Sequence, residues 1–224
     1  MFQIVGGRNP QMCQFFCGME GDFSPCHYDP QDNMFAQVRG YKRVILFHPK
    51  LFGCLYPWPI HHPQDRQSRV DFDRPDLKSF PRFAELQGCG IETVLGPGDV
   101  LRIPPGWWHH IEMLPSPDGE VVSFNFWYPH PHWFDGDLLS GNISWDTPLF
   151  GVRRVLFQRC MEELIGQTSS PDEIQKVVGI CAGLHPLPPP GSKTSEAVES
   201  LKTFVTSVYP DEEERRDLLI ELIT

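Results

Sequence analysis

The chain has 224 residues, a formal net charge of −10, and 40% hydrophobic and 12% aromatic side chains. This hydrophobic content supports a packed domain and excludes wholesale disorder. The acidic balance argues against a nucleic-acid-binding surface, which needs clustered lysine and arginine. No apolar run approaches the length of a membrane span and no signal peptide precedes the sequence, so no membrane partner is expected.

The cysteines indicate the redox compartment. There are seven of them, and none forms a Cys-x-x-Cys pair. An odd number without a pairing pattern is typical of reduced thiols. We therefore expect a protein of the cytoplasm and the nucleus, where thiols stay reduced.

Residues 12 to 128 are predicted to form short β-strands separated by turns. Six segments are rich in β-branched and aromatic residues, and turn sequences such as GPGD and PPGWW separate them. The predicted strands are Phe35–Val38, Arg43–Phe47, Ile91–Leu95, Asp99–Pro104, His109–Leu114 and Val121–Tyr128. This pattern predicts a mainly β fold, an antiparallel sandwich or barrel.

One long insertion, Leu55–Phe83, is too rich in proline for a regular strand and is predicted to be a loop.

Helices are predicted after the strands. Leu149–Gly166 has apolar residues at helical spacing, and Ser170–Leu184 begins with an N-cap serine, a proline and acidic residues. A proline-rich break follows, and Glu196–Val208 and Asp211–Ile223 are predicted to be the last helices.

The triplet from His27 to Asp29 brings two metal-binding side chains close together. In an extended chain the period of two puts His27 and Asp29 on the same side. Two such ligands and one distant histidine form the facial triad of non-haem iron(II) oxygenases. About 0.6 His-x-Asp triplets are expected by chance in a chain of this composition, so the triplet alone proves little. His109 and His110 follow 80 residues later, and parity does not decide which of them would join.

Four segments carry a resemblance to a known enzyme family: GMEGDFSPCHYDPQDNMFAQVRGYKRVILFHP, CLYPWPIHHPQDRQSRVDFDRPD, ETVLGPGDVLRIPPGWWHHIE and FNFWY. Over about residues 17 to 128 the chain resembles the JmjC-domain asparaginyl hydroxylases of the factor-inhibiting-HIF type. The loop motif HHPxDRQSxVDFD is far more specific than His-x-Asp. The resemblance implies a double-stranded β-helix, the cupin-like jelly-roll barrel, followed by C-terminal helices.

The resemblance also implies a catalytic site that uses Fe(II) and 2-oxoglutarate. The iron ligands would be His27, Asp29 and His109, the first histidine of the pair. Lys42 would pair with the distal carboxylate of 2-oxoglutarate, a task that suits a compact charge on a flexible stem. The implied reaction hydroxylates the β-carbon of asparagine while 2-oxoglutarate is converted to succinate and CO2.

Other matched positions imply contacts to the cosubstrate and the substrate. The additional cosubstrate-binding residues would be Ser24, Asn33, Asn125 and Trp127. Ser24 stands where the family has threonine, so the hydroxyl is kept and a methyl group is lost. Arg66 and Gln67 would hold the amide of the target asparagine. The implied protein substrates are the hypoxia-inducible factor transactivation segment and ankyrin-repeat proteins, and the implied assembly is a homodimer.

The chain departs from the family at both ends. The family has a long region before the matching part, which supplies early barrel strands and a tyrosine that contacts 2-oxoglutarate. Residues 1–136 are therefore expected to form an N-terminally incomplete barrel. Residues 137–184 are expected to form a helical pair that is a candidate dimerisation element, and residues 185–224 a proline-rich linker with an acidic helical tail.

Two other functions stay open. The chain could be a non-catalytic, truncated JmjC scaffold that binds such proteins, which the missing N-terminal strands favour. It could also be a JmjC oxygenase with a different residue specificity, against which the loop motif around Gln67 argues. The complete triad and Lys42 favour the asparaginyl hydroxylase.

Overall fold

The computed structural model describes residues 9–58, 62–117, 119–128 and 170–223. These residues contain eight strands in two antiparallel sheets, followed by helices. The predicted mainly β, cupin-like jelly-roll fold with C-terminal helices is confirmed.

The two sheets have four strands each. The strands are β1 (Met12–Met19), β2 (Phe23–Tyr28), β3 (Asp32–Arg39), β4 (Tyr41–Phe47), β5 (Ile91–Leu95), β6 (Val100–Ile103), β7 (Trp108–Leu114) and β8 (Glu120–Tyr128). The first sheet has the order β1-β8-β3-β6, and the second has the order β2-β7-β4-β5. Six strands correspond to the predicted ones. The segments of β1 and β2 were not predicted as strands, because β1 lacks β-branched residues and β2 contains Pro25.

Apolar side chains from both sheets meet in a shared core. Phe35 of β3 and Ile103 of β6 pack with Val44 of β4 and Ile111 of β7. Val44 and Ile103 are almost completely buried. The strand period of two therefore places one set of side chains between the sheets, where the candidate site also lies.

The long segment between β4 and β5 is mainly irregular in its described part, as predicted. A 3-10 helix (Pro49–Leu51) and short helix α1 (Phe52–Leu55) begin it, and a second 3-10 helix, Pro81–Leu86, lies near its end. Between them the chain lies along β2: the Ser68 amide donates to the Cys26 carbonyl at 2.8 Å, and Gln67 forms an isolated bridge with His27.

Three helices follow: α2 (Pro171–Cys181), α3 (Lys193–Val208) and α4 (Glu212–Ile223), which confirms the prediction for these segments. Ser170 caps α2 as predicted, because its hydroxyl accepts a hydrogen bond from the Glu173 amide at 3.3 Å. The helices share a core that includes Val178, Leu201 and Leu219. No helix in the described part of the chain is long and apolar enough to cross a membrane.

The helix predicted at Leu149–Gly166 lies outside the described residues. Dimerisation through residues 137–184 therefore stays a prediction. Val178, on the apolar face of the second helix of that predicted pair, is buried against α3 and α4.

Candidate metal centre

Three metal-binding side chains converge at the ends of neighbouring strands. His27, Asp29 and His109 each offer a ligand atom, and these atoms lie within 4.8 Å of one another. Antiparallel pairing of β2 with β7 sets His27 directly opposite His109, with ring centroids 4.2 Å apart. The register of two strands distant in sequence thus brings the site together.

Asp29 follows the end of β2 and is held by the turn between β6 and β7. Its carbonyl accepts a hydrogen bond from the Gly106 amide at 2.9 Å. Gly106 has a φ of +74°, a left-handed conformation that glycine adopts without steric cost. The turn sequence PPGWW therefore helps to fix the position of Asp29, and the next residue along the chain is the ligand candidate His109.

The structure also shows which histidine of the adjacent pair faces the site. His109 lines the cavity beside His27 and Asp29 and is 2% exposed. His110 lies on the opposite face of β7, where its ring stacks on Phe72 with centroids 4.9 Å apart. The residue that faces the site is the one that the resemblance implied.

Hydrogen bonds to main-chain carbonyls orient both cavity histidines. Nδ1 of His27 lies 2.7 Å from the Pro25 carbonyl, and Nδ1 of His109 lies 3.0 Å from the Trp107 carbonyl. A carbonyl oxygen only accepts, so each Nδ1 carries the proton and each Nε2 keeps a lone pair for a metal. Burial, and then the proximity of the His27 ring, lower the pKa of His109 to about 4, so the His109 ring is neutral at pH 7.

The third ligand is an oriented carboxylate. The indole Nε1 of Trp127 donates to Oδ2 of Asp29 at 2.9 Å. Burial raises the pKa of Asp29, but the neighbouring His109 and His27 rings, the Trp127 hydrogen bond and the Arg66 guanidinium outweigh it. The pKa therefore lies below its ordinary value of 3.8, and the group is ionised at neutral pH.

This donor set fits a divalent first-row metal ion. Two neutral imidazoles and one carboxylate on one side of an ion leave further positions open, which is the ligand set of non-haem iron(II) oxygenases. Within the described residues, this is the group of three metal-capable side chains whose ligand atoms come close enough to share an ion.

A cavity of about 420 Å³ adjoins the triad. Its volume is in the range that takes a small organic ligand. Eight of the ten site residues expected from the sequence line it: Ser24, His27, Asp29, Lys42, Arg66, His109, Asn125 and Trp127. The structure thus brings most of the expected iron, cosubstrate and substrate residues to one place.

Lys42 is a buried cation inside this cavity. Its ammonium donates to Oγ of Ser123 at 2.8 Å and lies 5.0 Å from the centroid of the Phe35 ring. Burial lowers its pKa to about 8. No carboxylate among the described residues forms an ion pair with the Lys42 ammonium, so an anionic ligand in the cavity would supply the missing counter-charge.

Two further polar atoms of the cavity are buried without a hydrogen-bond partner in the described chain. They are Oδ1 of Asn125 and Nε of Arg66, which lies 3.6 Å from Oδ1 of Asp65 in an ion pair without hydrogen-bond geometry. Buried polar groups are normally paired, so Oδ1 of Asn125 is the acceptor that a polar ligand in this cavity would satisfy.

Two expected site residues lie elsewhere. Asn33 is buried on β3, opposite Trp127 in register, and does not line the cavity. Gln67 lines a second cavity of about 440 Å³, together with Cys26 and Phe72. His27 and Cys26 are neighbours that face opposite sides of β2, which separates the two cavities there. Asn33 shares its face of β3 with the cavity residue Phe35, so alternation does not account for its position.

Other cavity residues were not anticipated. They are Met12, Gln14, Phe16, Gln31, Phe35 and Ile111, along with Ser123 as the partner of Lys42. The period of two on β8 could have identified Ser123, because it shares a face with Asn125 and Trp127. The β1 residues had no such signal, because that strand was not predicted.

Trp127→Phe is expected to raise the dissociation constant for Mn(II) or Co(II) by about 10- to 100-fold. The substitution keeps an aromatic ring but removes the N–H that orients the Asp29 carboxylate. Calorimetric metal titration measures the effect. Trp58→Phe is the matched control, because Trp58 stacks on His62 and lines the second cavity, not the one beside the triad. Equal metal affinity in wild type and Trp127→Phe would show that the indole does not position the ligand.

Known proteins resemble the first part of the chain. The sequence profile of the family described as "Cupin-like domain" matches residues 2–133. HSPB1-associated protein 1 of Homo sapiens is 38% identical over 123 residues, which are 54% of this chain and 24% of that protein. Lysine-specific demethylase JMJ30 of Arabidopsis thaliana is 35% identical over 125 residues, 56% of this chain and 28% of that protein.

A third relative is lysine-specific demethylase 8 of Xenopus tropicalis, 38% identical over 114 residues, which are 50% of this chain and 24% of that protein. The chain spans about a quarter of the length of these relatives. Among solved structures, the CENP-C cupin domain of Drosophila melanogaster aligns over 53% of this chain and 61% of that one, with a TM-score of 0.32 and 10% identity.

Proposed function

This chain belongs to the cupin-like domain family, and we propose that it is an Fe(II)- and 2-oxoglutarate-dependent oxygenase that hydroxylates the β-carbon of asparagine in protein substrates. JmjC-type cupins are in general 2-oxoglutarate-dependent oxygenases, and relatives named lysine-specific demethylases match this chain. The observation that carries the proposal is the meeting of a two-histidine, one-carboxylate triad and a buried lysine in one cavity.

His27, Asp29 and His109 would hold the iron through two neutral imidazoles and one carboxylate. Iron and 2-oxoglutarate together supply the oxidising chemistry: O2 gives one oxygen atom to succinate and the other to the substrate C–H bond, and CO2 leaves. The protein holds the reactants in place and excludes water.

Lys42 would bind the distal carboxylate of 2-oxoglutarate, with the hydroxyls of Ser123 and Ser24 as neutral hydrogen-bond partners. The side-chain oxygen of Asn125 has no hydrogen-bond partner among the described residues, and the guanidinium of Arg66 is paired with Asp65. Arg66 stands beside Asp29 and is the candidate for contact with the target amide. Gln67 would need to reach over β2 to share that task.

The substrate class rests on the resemblance of the loop motif. The proposed partners are the hypoxia-inducible factor transactivation segment and ankyrin-repeat proteins, bound as extended peptides in the cytoplasm and nucleus. A second candidate function is demethylation of lysine. It is favoured by the names of relatives that are 35–38% identical to this chain. The alternative of a non-catalytic scaffold has less support, since the triad is complete.

Mass spectrometry can distinguish these functions. The purified chain is incubated with Fe(II), 2-oxoglutarate and either an asparagine-containing ankyrin peptide or a peptide with methylated lysine. We expect the ankyrin peptide to gain one oxygen atom, with succinate formed in equal amount, and no product with His27→Ala. Loss of a methyl group from the lysine peptide would identify the second function instead. Absence of both products from folded, iron-loaded protein would favour the scaffold.

A further inference from the structure

The connection between α2 and α3 is an exposed run of prolines. Residues 185–190 have the sequence HPLPPP, and residues 186–189 belong to no helix, strand or turn. Leu187 is 68% exposed, although leucine is normally buried. The oxygenase chemistry proposed above assigns no task to this run of residues.

Covalent geometry gives this run the conformation of a polyproline II helix. A proline ring holds its own φ near −65°, and a residue that precedes a proline is restricted to a ψ of about +120° to +160°. Pro188 and Pro189 have both angles restricted, because each is a proline followed by a proline. Leu187 has its ψ restricted and Pro186 its φ. These are the angles of polyproline II, so the conformation exists before any partner binds.

The two flanking helices hold the run at both ends. After α2, the Leu184 amide donates to the Gly179 carbonyl at 2.8 Å. Before α3, the Ser192 amide donates to the Pro189 carbonyl at 3.3 Å, across a turn in which Gly191 has a φ of +77°. Because α2 and α3 also share a core, the run is held in place, and a partner that binds it orders little further chain.

The free side of the run has the pattern that proline-binding domains recognise. Polyproline II has three residues per turn, so Pro186 and Pro189 lie on the same edge. Both are exposed, whereas Pro188 is half-buried. The carbonyls of Pro186, Leu187 and Pro188 accept no hydrogen bond from the described residues. Exposed P-x-x-P segments of this kind dock in grooves lined by aromatic side chains, whose Trp N–H and Tyr O–H groups can donate to such carbonyls.

We propose that residues 186–190 are a docking site for a second protein, which binds them through a domain of the WW type with an uncharged aromatic groove. Residues 183–191 contain no lysine, arginine, aspartate or glutamate. An acidic groove that selects a basic residue beside the prolines finds none in this stretch. Tryptophan and tyrosine rings, in contrast, need only the apolar edge and the free carbonyls. The site lies between helices and does not depend on the metal centre.

NMR titration of an isotope-labelled WW domain with the full chain tests the proposal. The probe is a WW domain that selects proline–leucine sequences, and we expect its groove tryptophan resonance to shift as the chain is added. Replacing both edge prolines, Pro186→Ala with Pro189→Ala, is expected to raise the dissociation constant by about tenfold or more, because the rings and their fixed φ angles are lost. Pro210→Ala is the matched control, because Pro210 is an exposed proline between α3 and α4, and it should bind like wild type.

Thermal melts establish that each variant is folded. Should the double variant unfold, Leu187→Glu keeps every proline and is expected to weaken binding by placing a charge against the apolar groove. Absence of any shift at high micromolar chain would overturn the proposal, and the run would then be a rigid spacer. Equal affinity of wild type and the variants would overturn it too, because binding would lie elsewhere. Tighter binding to an SH3 domain with an acidic groove would overturn the assignment to an uncharged groove.

Discussion

Replacing His109 with alanine is expected to abolish specific Fe(II) binding, whereas replacing its neighbour His110 should leave binding intact. The two residues are adjacent, of the same type and both buried, with exposures of 2% and 5%. They differ in the face of β7 that they occupy. His109 lies beside His27 and Asp29, and His110 stacks on Phe72. Loss of a direct ligand should exceed the 10- to 100-fold effect that is typical of outer-shell residues.

Anaerobic Fe(II) titration of both variants gives the measurement, with thermal melts to confirm that each is folded. His110→Ala is expected to lower stability, because a buried ring that packs on Phe72 is lost, yet it should bind metal like wild type. The opposite result, with metal lost only in His110→Ala, would refute the assignment. An equal loss in both folded variants would show that neither face of β7 is specific.

Lys42→Met is expected to raise the dissociation constant for 2-oxoglutarate by roughly 10- to 150-fold, because a charge-assisted hydrogen bond contributes about 1.5–3 kcal/mol. The substitution keeps most of the buried stem between Phe16 and Phe35 and removes the ammonium. Calorimetry with Mn(II) in place of iron gives the affinity without turnover. Lys50→Met, at an exposed lysine, is the matched control and should bind like wild type.

The same lysine gives a pH dependence with a defined sign. The pKa of free Lys42 is lowered to about 8, so the ammonium is charged below this pH and loses its proton above it. A bound carboxylate raises that pKa again. The dissociation constant should therefore be flat below pH 8 and rise by up to about tenfold per pH unit above it. Lys42→Arg should flatten the profile, because arginine stays charged. A wild-type profile that is flat through pH 9 would argue against Lys42 as the carboxylate partner.

Six of the eight strands in the described residues could be predicted from sequence, because their local preferences agree with the fold. Ile91–Leu95 is a strand with the predicted bounds, and the other five predicted strands correspond to observed ones. The cap of α2 at Ser170 was also predictable, since it depends on residues three positions apart. Such features rest on neighbours along the chain.

The first two strands, β1 and β2, could not be predicted in this way. β1 and β2 contain glycine, glutamine, cysteine or proline, which favour strands weakly or oppose them. They are extended because β8 and β7 supply their hydrogen bonds. That partnership joins residues about a hundred positions apart, and no local pattern encodes it.

The candidate site also has some residues that local sequence predicts and others that only contacts between distant strands bring together. His27 and Asp29 could be proposed together because an extended chain sets alternate residues on one side. The family motif added His109, Lys42 and the cosubstrate residues as expectations. The residue pattern by itself thus determined the metal-binding residue types, a mainly β part and the helices that follow it, and the resemblance added the jelly-roll class.

Only the tertiary structure decided which histidine faces the triad, because the register of β7 against β2 sets that face. It also set Asn33 and Gln67 outside the cavity that Lys42 and Arg66 line. The hydrogen bond from Trp127 to Asp29 depends on the approach of two strands from different sheets. The physical reason is the same in each case: a side chain's face follows from local periodicity, but its neighbours follow from strand register and sheet packing.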